Sequence, residues 1–246
     1  MAFAGKRVFI TGAGRGLGAA LAVILADAGA RLILTGRNAE NLAVTAEAIR
    51  LRCGQRPETV ALDLSDAGEV TRLAKRFRDQ GEPIDILINN GAQWLPGRMD
   101  AHDALAISAT IAGAVTGTLL LTRGLLPLLE ASGCGDILNI VSISGLPNAG
   151  LGEASVAFYA AKHAQTGLTN GLRQELKGRS VRVSGIYPPS IDDISPLDAA
   201  AWQAERPKGS AVCNRDVVEA ALFMLSRPRH MALASVVIDA DTGGLH

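Results

Sequence analysis

The 246-residue chain contains few of the residues that build metal centres, disulfide frameworks or aromatic clusters. It has 3 cysteines, 4 histidines and 4% aromatic residues. The cysteines are far apart and odd in number, which excludes a disulfide framework and indicates a reducing, cytoplasmic compartment. The histidines are scattered without metal-ligand spacing, so no metal site is expected.

Net charge and long apolar runs are lacking too. The formal net charge is +0, without the basic excess that nucleic-acid binding requires, so no nucleic-acid partner is expected. The longest apolar region, 119–129, is interrupted by Arg123 and Pro127, so no membrane span is expected. No Pro/Ser-rich linker or charge block divides the chain, which predicts one domain over residues 1–246.

Glycine is abundant, with 27 residues, and it clusters where the first apolar run ends. A β-branched run at 7–11 meets a glycine-rich turn, and an Ala/Leu-rich helical pattern follows at once. This strand–turn–helix order predicts a dinucleotide site, because glycines let the backbone approach a pyrophosphate and the helix N-terminus holds its charge. The expected contacts in the turn are Thr11, Gly12, Gly14, Arg15, Gly16, Leu17 and Gly18.

Strand-like and helical patterns alternate along the whole chain. Strands are predicted near 7–11, 31–35, 58–62, 84–89, 136–141, 181–187 and 234–238. Helices are predicted near 16–28, 39–52, 66–80, 100–110, 112–131, 154–177 and 214–226. The alternation indicates βαβ units around a buried parallel sheet, an α/β Rossmann architecture whose ligands lie at the carboxyl ends of the strands.

The end of the second strand favours NADP(H) over NAD(H). A NAD enzyme usually carries Asp or Glu about twenty residues past the glycines, where it bonds the ribose 2′-hydroxyl. This chain has Gly36 there, followed by Arg37 and Asn38. An arginine pairs with a 2′-phosphate, and the missing carboxylate removes a repulsion. Arg15 would add a second positive contact, whereas Glu40 falls in the next helix turn and is expected to point to water.

The order of motifs resembles the short-chain dehydrogenase/reductase family over nearly the whole chain. The similar segments are the cofactor turn 11–18, the adenine contact at Asp63 and Leu64, Asn89-Asn90-Gly91-Ala92 for Asn-Asn-Ala-Gly, the strand 137–142, the nicotinamide turn Pro188-Pro189-Ser190-Ile191 and the strand end 239–244. The resemblance implies a single doubly wound domain with a seven-stranded parallel sheet and helices on both faces. It also implies a homodimer or homotetramer built on the two long central helices.

The family's chemistry uses Asn, Ser, Tyr and Lys, and this chain resembles it in only two of the four. Ser142 is in place, and the run that follows Lys162 matches without a gap. Phe158 stands at the position of the family's Tyr, and Ala114 stands at the position of its Asn. Tyr159 is the candidate displaced acid/base, although one helix step rotates a side chain by about 100°, so a local alteration of the helix is required.

Other departures leave alternatives open. A second register would put Tyr159 in the Tyr position and His163 in the Lys position, but the Gly-Leu-Thr at 167–169 argues against it. Pro189 stands for the usual Gly, and Asp193 stands where a Thr often bonds the carboxamide. An ionised carboxylate cannot donate that hydrogen bond.

Three functions remain open at this point. The first is an NADP(H)-dependent oxidoreductase in which Ser142 orients the substrate oxygen, Lys162 holds the nicotinamide ribose and Tyr159 moves the proton. The second is a non-catalytic NADP(H)-binding protein, a sensor or partner subunit, which Ala114 and Phe158 motivate. The third is an altered reaction in the same fold, such as a dehydration or isomerisation.

The expected substrate pocket takes Trp94, Ser144 and Trp202. Trp94 follows the fourth-strand motif, and Trp202 lies in 192–213, where the resemblance implies a substrate lid. Rare aromatic residues on loops at the ligand edge favour a binding role. An apolar pocket of this kind suits a small ketone, alcohol or ring compound.

Overall fold

The computed structural model describes residues 2–241 and contains a seven-stranded sheet. The strands are β1 (Arg7–Thr11), β2 (Arg31–Gly36), β3 (Glu58–Ala61), β4 (Ile86–Asn89), β5 (Gly135–Ile140), β6 (Val181–Tyr187) and β7 (Ser235–Val237). They pair in the order β3-β2-β1-β4-β5-β6-β7, and every pairing is parallel. The predicted fold class is confirmed. Residues 242–244 of the predicted strand-end motif lie outside the described residues.

Helices alternate with the strands. They are α1 (Gly16–Asp27), α2 (Ala39–Cys53), α3 (Ala67–Gln80), α4 (Ala104–Ile111), α5 (Thr118–Ala131), α6 (Val156–Glu175), α7 (Ala199–Gln203) and α8 (Asn214–Leu225). A π-helical turn over Ala112–Gly117 joins α4 to α5 into one continuous stretch. The helix predicted from 100 begins only at Ala104, after a 3₁₀ turn, and α7 was not predicted at all.

Side-chain caps explain where several helices begin. Asn38 accepts a hydrogen bond from the Asn41 amide at 2.8 Å, and Ser155 accepts one from the Phe158 amide at 3.2 Å. Helix α1 differs, because Arg15 at its N-cap makes no such bond. The amides of its first turn therefore have no side-chain cap from Arg15, as an anion site requires.

The sheet separates two apolar cores. Ile10 packs with Leu21 of α1 and Val217 of α8 on one face. Its neighbour Phe9 packs with Phe77 of α3 on the other face, where α5 also lies. Adjacent strand residues point to opposite faces, so β1 is buried on both sides and the sheet is doubly wound. The strand order reverses between β1 and β4, which opens a crevice at their carboxyl ends.

The continuous stretch Ala104–Ala131 has a mean hydropathy of 1.9 in its most apolar 18 residues. By length and composition alone it could cross a membrane. Leu121, Leu125 and Leu129 are nevertheless buried against the sheet and α3, as in the core helix of a folded domain. The absence of a membrane span stays an expectation from the sequence.

A cluster of ion pairs around the buried Asp136 joins the second half of the sheet to the end of α8. Asp136 on β5 accepts two hydrogen bonds from Arg182 on β6, at 2.6 and 3.1 Å, and pairs with Arg229 at 3.1 Å. Arg182 also donates to the carbonyls of Leu225 and Arg227 at 3.1 and 3.0 Å. Burial raises the pKa of the Asp136 carboxyl, and the guanidinium groups oppose that rise.

Asp136→Ala is expected to reduce the free energy of unfolding by about 3–5 kcal/mol, because it leaves the buried Arg182 charge uncompensated. The measurement is urea denaturation at neutral pH. Asp79→Ala is the matched control, since it breaks only the exposed Lys75–Asp79 pair and should cost below about 0.5 kcal/mol. Equal losses in the two variants would contradict the assignment.

Candidate active site

A cleft of about 800 Å³ runs across the carboxyl ends of the strands on both sides of the crevice. All residues predicted to contact a cofactor lie on its wall: Thr11, Gly12, Gly14, Arg15, Gly16, Leu17, Gly18, Arg37, Asn38, Asp63, Leu64, Asn90, Gly91, Ala92, Lys162, Pro188, Ser190 and Ile191. Ser142, Ser144 and Trp94 lie on the same wall. The fold therefore brings residues from most of the chain to one place.

The glycine turn is shaped by close backbone approach. Gly12 has a φ of +66°, in the left-handed region that glycine tolerates. A Cβ added at Gly18 would lie 2.0 Å from the Gly12 carbonyl oxygen, so the start of α1 packs directly on the turn. The result is a concave backbone surface at the start of α1.

Side-chain hydrogen bonds hold the two edges of the crevice together. Thr11 Oγ1 accepts hydrogen bonds from the amides of Asn90 and Gly91 at 3.0 and 2.8 Å. The Asn90 side chain donates back to the carbonyls of Thr11 and Gly12 at 3.1 and 3.2 Å. A Cβ at Gly91 would lie 2.7 Å from Leu64 Cδ1 and 3.1 Å from Thr11 Oγ1, so this edge of the crevice is closely packed.

Positive charge collects beyond the end of β2. Arg15 and Arg37 are exposed on the cleft wall, and Arg37 Nη1 donates to Gln93 Oε1 at 3.0 Å. Asp63 Oδ1 accepts hydrogen bonds from the amide and hydroxyl of Ser65, both at 2.8 Å. Gln93 was not predicted, because its relation to Arg37 depends on contact between loops far apart in the chain.

The other end of the cleft combines serines with an aromatic wall. Ser142 follows β5, and its Oγ accepts a hydrogen bond from the Ser144 amide at 3.1 Å. Trp94 and Phe158 meet edge to face, with ring centroids 4.6 Å apart. Such a pair forms an apolar surface on the same cleft wall as the serine hydroxyls.

Tyr159 does not lie on the cleft wall, and its assignment as the displaced acid/base is corrected. Its hydroxyl donates to the Ala149 carbonyl at 2.7 Å, and its ring packs on His163 at 4.3 Å. Helix α6 is regular from Val156 onward, so the local alteration that would turn Tyr159 inward is not present. Lys162 lines the cleft and His163 does not, which excludes the alternative register.

Trp202 is also placed differently from the prediction. It lies on α7 and packs against the core around α1 and α8 rather than on the cleft wall. Arg215 donates to its carbonyl at 2.5 Å. Asp193, in the same 192–213 segment, accepts a hydrogen bond from Asn214 at 2.8 Å. These contacts anchor the segment, so Trp202 serves packing.

Lys162 is buried at the cleft wall, with 5% of its surface exposed. Its Nζ donates to the Ile140 carbonyl at 3.3 Å and to Gln165 Oε1 at 2.9 Å. Gln165 Nε2 donates in turn to the Ala114 carbonyl in the π turn, at 3.0 Å. Burial lowers the pKa of the Lys162 ammonium from 10.5 to about 7.

Sequence reasoning missed Gln165, although a signal was present. Gln165 follows Ala161 and precedes Thr169 at four-residue spacing, and all three are buried on one stripe of α6. A glutamine on the buried stripe of a helix needs partners for its amide. Here both ends of the amide are bonded.

Comparison with known proteins agrees with this geometry. A family model described as short chain dehydrogenase matches residues 6–206. An uncharacterized oxidoreductase of Staphylococcus saprophyticus is 33% identical over 95% of this chain and 96% of its own. The chain therefore belongs to the short-chain dehydrogenase family of oxidoreductases.

Solved structures give the same fold. A metagenomic short-chain oxidoreductase in complex with NADP has a TM-score of 0.79 and 26% identity, over 98% of this chain and 99% of the other. A 3-oxoacyl (acyl-carrier-protein) reductase from Agrobacterium tumefaciens with NADP bound has a TM-score of 0.80 and 26% identity, over 96% and 93%. This similarity over nearly the full length accords with the parallel sheet and the crevice described above.

Gly18→Ala is expected to lower the free energy of unfolding by about 2 kcal/mol or more, because the added methyl group must displace the Gly12 carbonyl. Gly167→Ala on α6 is the control, since nothing lies within 4 Å of its added Cβ. That change should raise stability by about 0.5–1 kcal/mol, as glycine weakens a helix interior. Thermal and urea unfolding measure both variants, and a neutral Gly18→Ala would refute the close packing.

Proposed function

We propose that this protein is an NADP(H)-dependent oxidoreductase that interconverts a carbonyl and an alcohol by hydride transfer. The observation that carries the proposal is the single cleft that joins the glycine turn at one end to Ser142 and Lys162 at the other. The two related proteins solved with NADP support the choice of cofactor.

The residues present fit a dinucleotide. The turn after β1 exposes backbone rather than side chains, and α1 begins without a side-chain cap from Arg15. Those amides would hold a pyrophosphate. Arg15 and Arg37 would hold a 2′-phosphate, and the hydrogen bond that Arg37 donates to Gln93 keeps its guanidinium at the cleft edge. This arrangement favours NADP(H) over NAD(H).

When bound, the nicotinamide supplies or accepts the hydride. Ser142 would orient the substrate oxygen by a hydrogen bond from its hydroxyl, beside Ser144. Trp94 and Phe158 would pack against the carbon skeleton, which favours a small neutral ketone, alcohol or ring compound with an apolar body. Lys162 lies on the same wall as Ser142 and is available to the ribose or to the reacting oxygen.

An assembly of identical subunits is part of the proposal. Leu105 on α4, Leu119 on α5 and Val156 at the start of α6 are 77%, 45% and 51% exposed. These exposed apolar side chains support the proposal, because a homodimer or homotetramer would bury them. The unpaired cysteines Cys53 and Cys134 fit a cytoplasmic location.

Arg37→Ala is expected to weaken NADPH binding about tenfold or more, because a charge-assisted contact is worth roughly 1.5–3 kcal/mol. NADH binding should change by less than about twofold, since it lacks the 2′-phosphate. Titration followed by nicotinamide fluorescence measures both affinities. Arg78→Ala, an exposed change on α3, is the control. An equal loss for the two cofactors would contradict the NADP preference.

The reaction itself is tested with NADPH that carries deuterium at the transferable position and a panel of apolar ketones and aldehydes. The expected product is an alcohol with one deuterium on the former carbonyl carbon. Ser142→Ala should reduce kcat by about 10²-fold or more and keep NADPH affinity, because its hydrogen bond acts on the substrate oxygen. Tight NADPH binding without transfer in either direction would instead favour the non-catalytic binding protein.

A further inference from the structure

We propose that Lys162, held in place by Gln165, is itself the group that gives and takes the proton at the substrate oxygen. The inference rests on the proposed carbonyl/alcohol reaction and names its missing acid/base. The tyrosine that would normally do this work is replaced by Phe158, whose ring lies on the cleft wall.

The other candidates on the wall are poorly placed or poorly suited. Asp63 lies beyond β3 and is bonded to Ser65, at the end of the cleft near Arg37. Glu153 lies exposed on the loop before α6. The Ser142 hydroxyl is too weak an acid to donate its proton unaided near neutral pH. Lys162 remains as the buried ionisable group on the wall, bonded to the Ile140 carbonyl two residues before Ser142.

Among the described residues, hydrogen bonding leaves one position on Lys162 Nζ without a partner. Nζ donates to the Ile140 carbonyl and to Gln165 Oε1. A neutral amine has two N–H bonds, so both are then used and the lone pair is left over. In the ammonium form the third N–H takes the place of that lone pair. Because Lys162 lines the cleft, the third N–H can donate a proton there, and the lone pair of the neutral amine can accept one, without a change of rotamer.

The proton balance follows from that geometry. In carbonyl reduction the hydride reaches the carbon, the third N–H bond of Lys162 breaks, and an O–H bond forms directly or through one water. Lys162 is left as a neutral amine and takes a proton from solvent after the product leaves. Alcohol oxidation runs the same transfers backward.

The surroundings of Lys162 keep both forms accessible near neutral pH. The other ionisable side chains on the cleft wall are Arg15, Arg37, Asp63 and Glu153, and Tyr159 and His163 are the neighbours of Lys162 on α6. None of these described groups forms an ion pair with Lys162, and burial alone brings the pKa of the amine to about 7. A general acid/base works best when its pKa lies near the working pH.

Gln165 is the positioning residue. It is 4% exposed, and its amide spans from Lys162 Nζ to the Ala114 carbonyl. Reversing the amide would set its NH₂ against the lysine donor and its oxygen against the carbonyl, so one orientation is strongly preferred. The bridge holds Nζ at the cleft wall, 5.4 Å from the centre of the Phe158 ring.

The first test is Gln165→Glu, a near-isosteric change that puts a carboxylate beside Lys162 and raises the pKa of its amine. In the native protein, carbonyl reduction should fall as pH rises through about 7, because the ammonium is the donor. In Gln165→Glu that fall should move to a pH higher by at least about one unit. Gln174→Glu, on the exposed surface of α6, adds the same charge and should leave the profile unchanged.

Two further measurements test the proposal even if the Gln165→Glu variant fails to fold. The ¹³C resonance of Lys162 Cε in the cofactor-free protein, assigned by its loss in Lys162→Arg, should titrate near pH 7. Lys162→Arg keeps a positive charge but cannot release a proton, so it should retain NADPH affinity within about threefold and lose at least about 100-fold in kcat.

The outcomes separate the two proposals. Absence of hydride transfer in the native protein overturns the proposed function, whereas the Lys162 resonance still reports on the amine. If Lys162→Arg keeps the turnover of the native protein, the role of Lys162 is overturned. It is also overturned if Glu153→Gln abolishes the fall in carbonyl reduction near pH 7, because Glu153 would then be the titrating group. A Lys162 Cε resonance that titrates near the ordinary lysine pKa of 10.5 would overturn the role of Lys162 as well.

Discussion

The contact between the carboxyl ends of β1 and β4 is the constraint on which the site depends. Thr11 Oγ1 accepts two backbone hydrogen bonds from the segment after β4, and Asn90 returns two to the glycine turn. Glycine at 91 lets Leu64 approach as well. Without this junction the crevice at the reversal of strand order would have no fixed width, and α1 would not present its first turn toward the cleft.

The departures from the family pattern are connected through one buried chain of hydrogen bonds. The Ala114 carbonyl, the Gln165 amide and Lys162 Nζ form a continuous path from the π turn to the cleft. Ala114 has no polar side chain to contribute, and the glutamine bonds its backbone carbonyl instead. The phenylalanine at 158 removes a hydroxyl from the wall and adds apolar surface beside the amine. Together these contacts hold the Lys162 amine in place and keep it away from water.

Most of the fold could be predicted because its signals are local. Short buried strands, glycine turns and capped helices repeat along the chain, and the sheet follows from their alternation. The predictions were wrong for Tyr159 and Trp202, and they did not include α7 or Gln165. Each of these depends on what a side chain meets after folding. The Tyr159 hydroxyl donates to the Ala149 carbonyl, and Trp202 packs against the core beside α1.

The sequence by itself determined the α/β class, the glycine turn, the positive residues after β2 and the presence of Lys162 with phenylalanine one turn before it. Those features are set by residue identity and by spacing within one strand or helix. Only the tertiary structure decided which side chain reaches the cleft and what holds the lysine. Gln165 and Ala114 are 51 residues apart in the chain, and their hydrogen bond exists only because α6 packs on the π turn. Contacts across such distances are decided by packing, which local patterns do not encode.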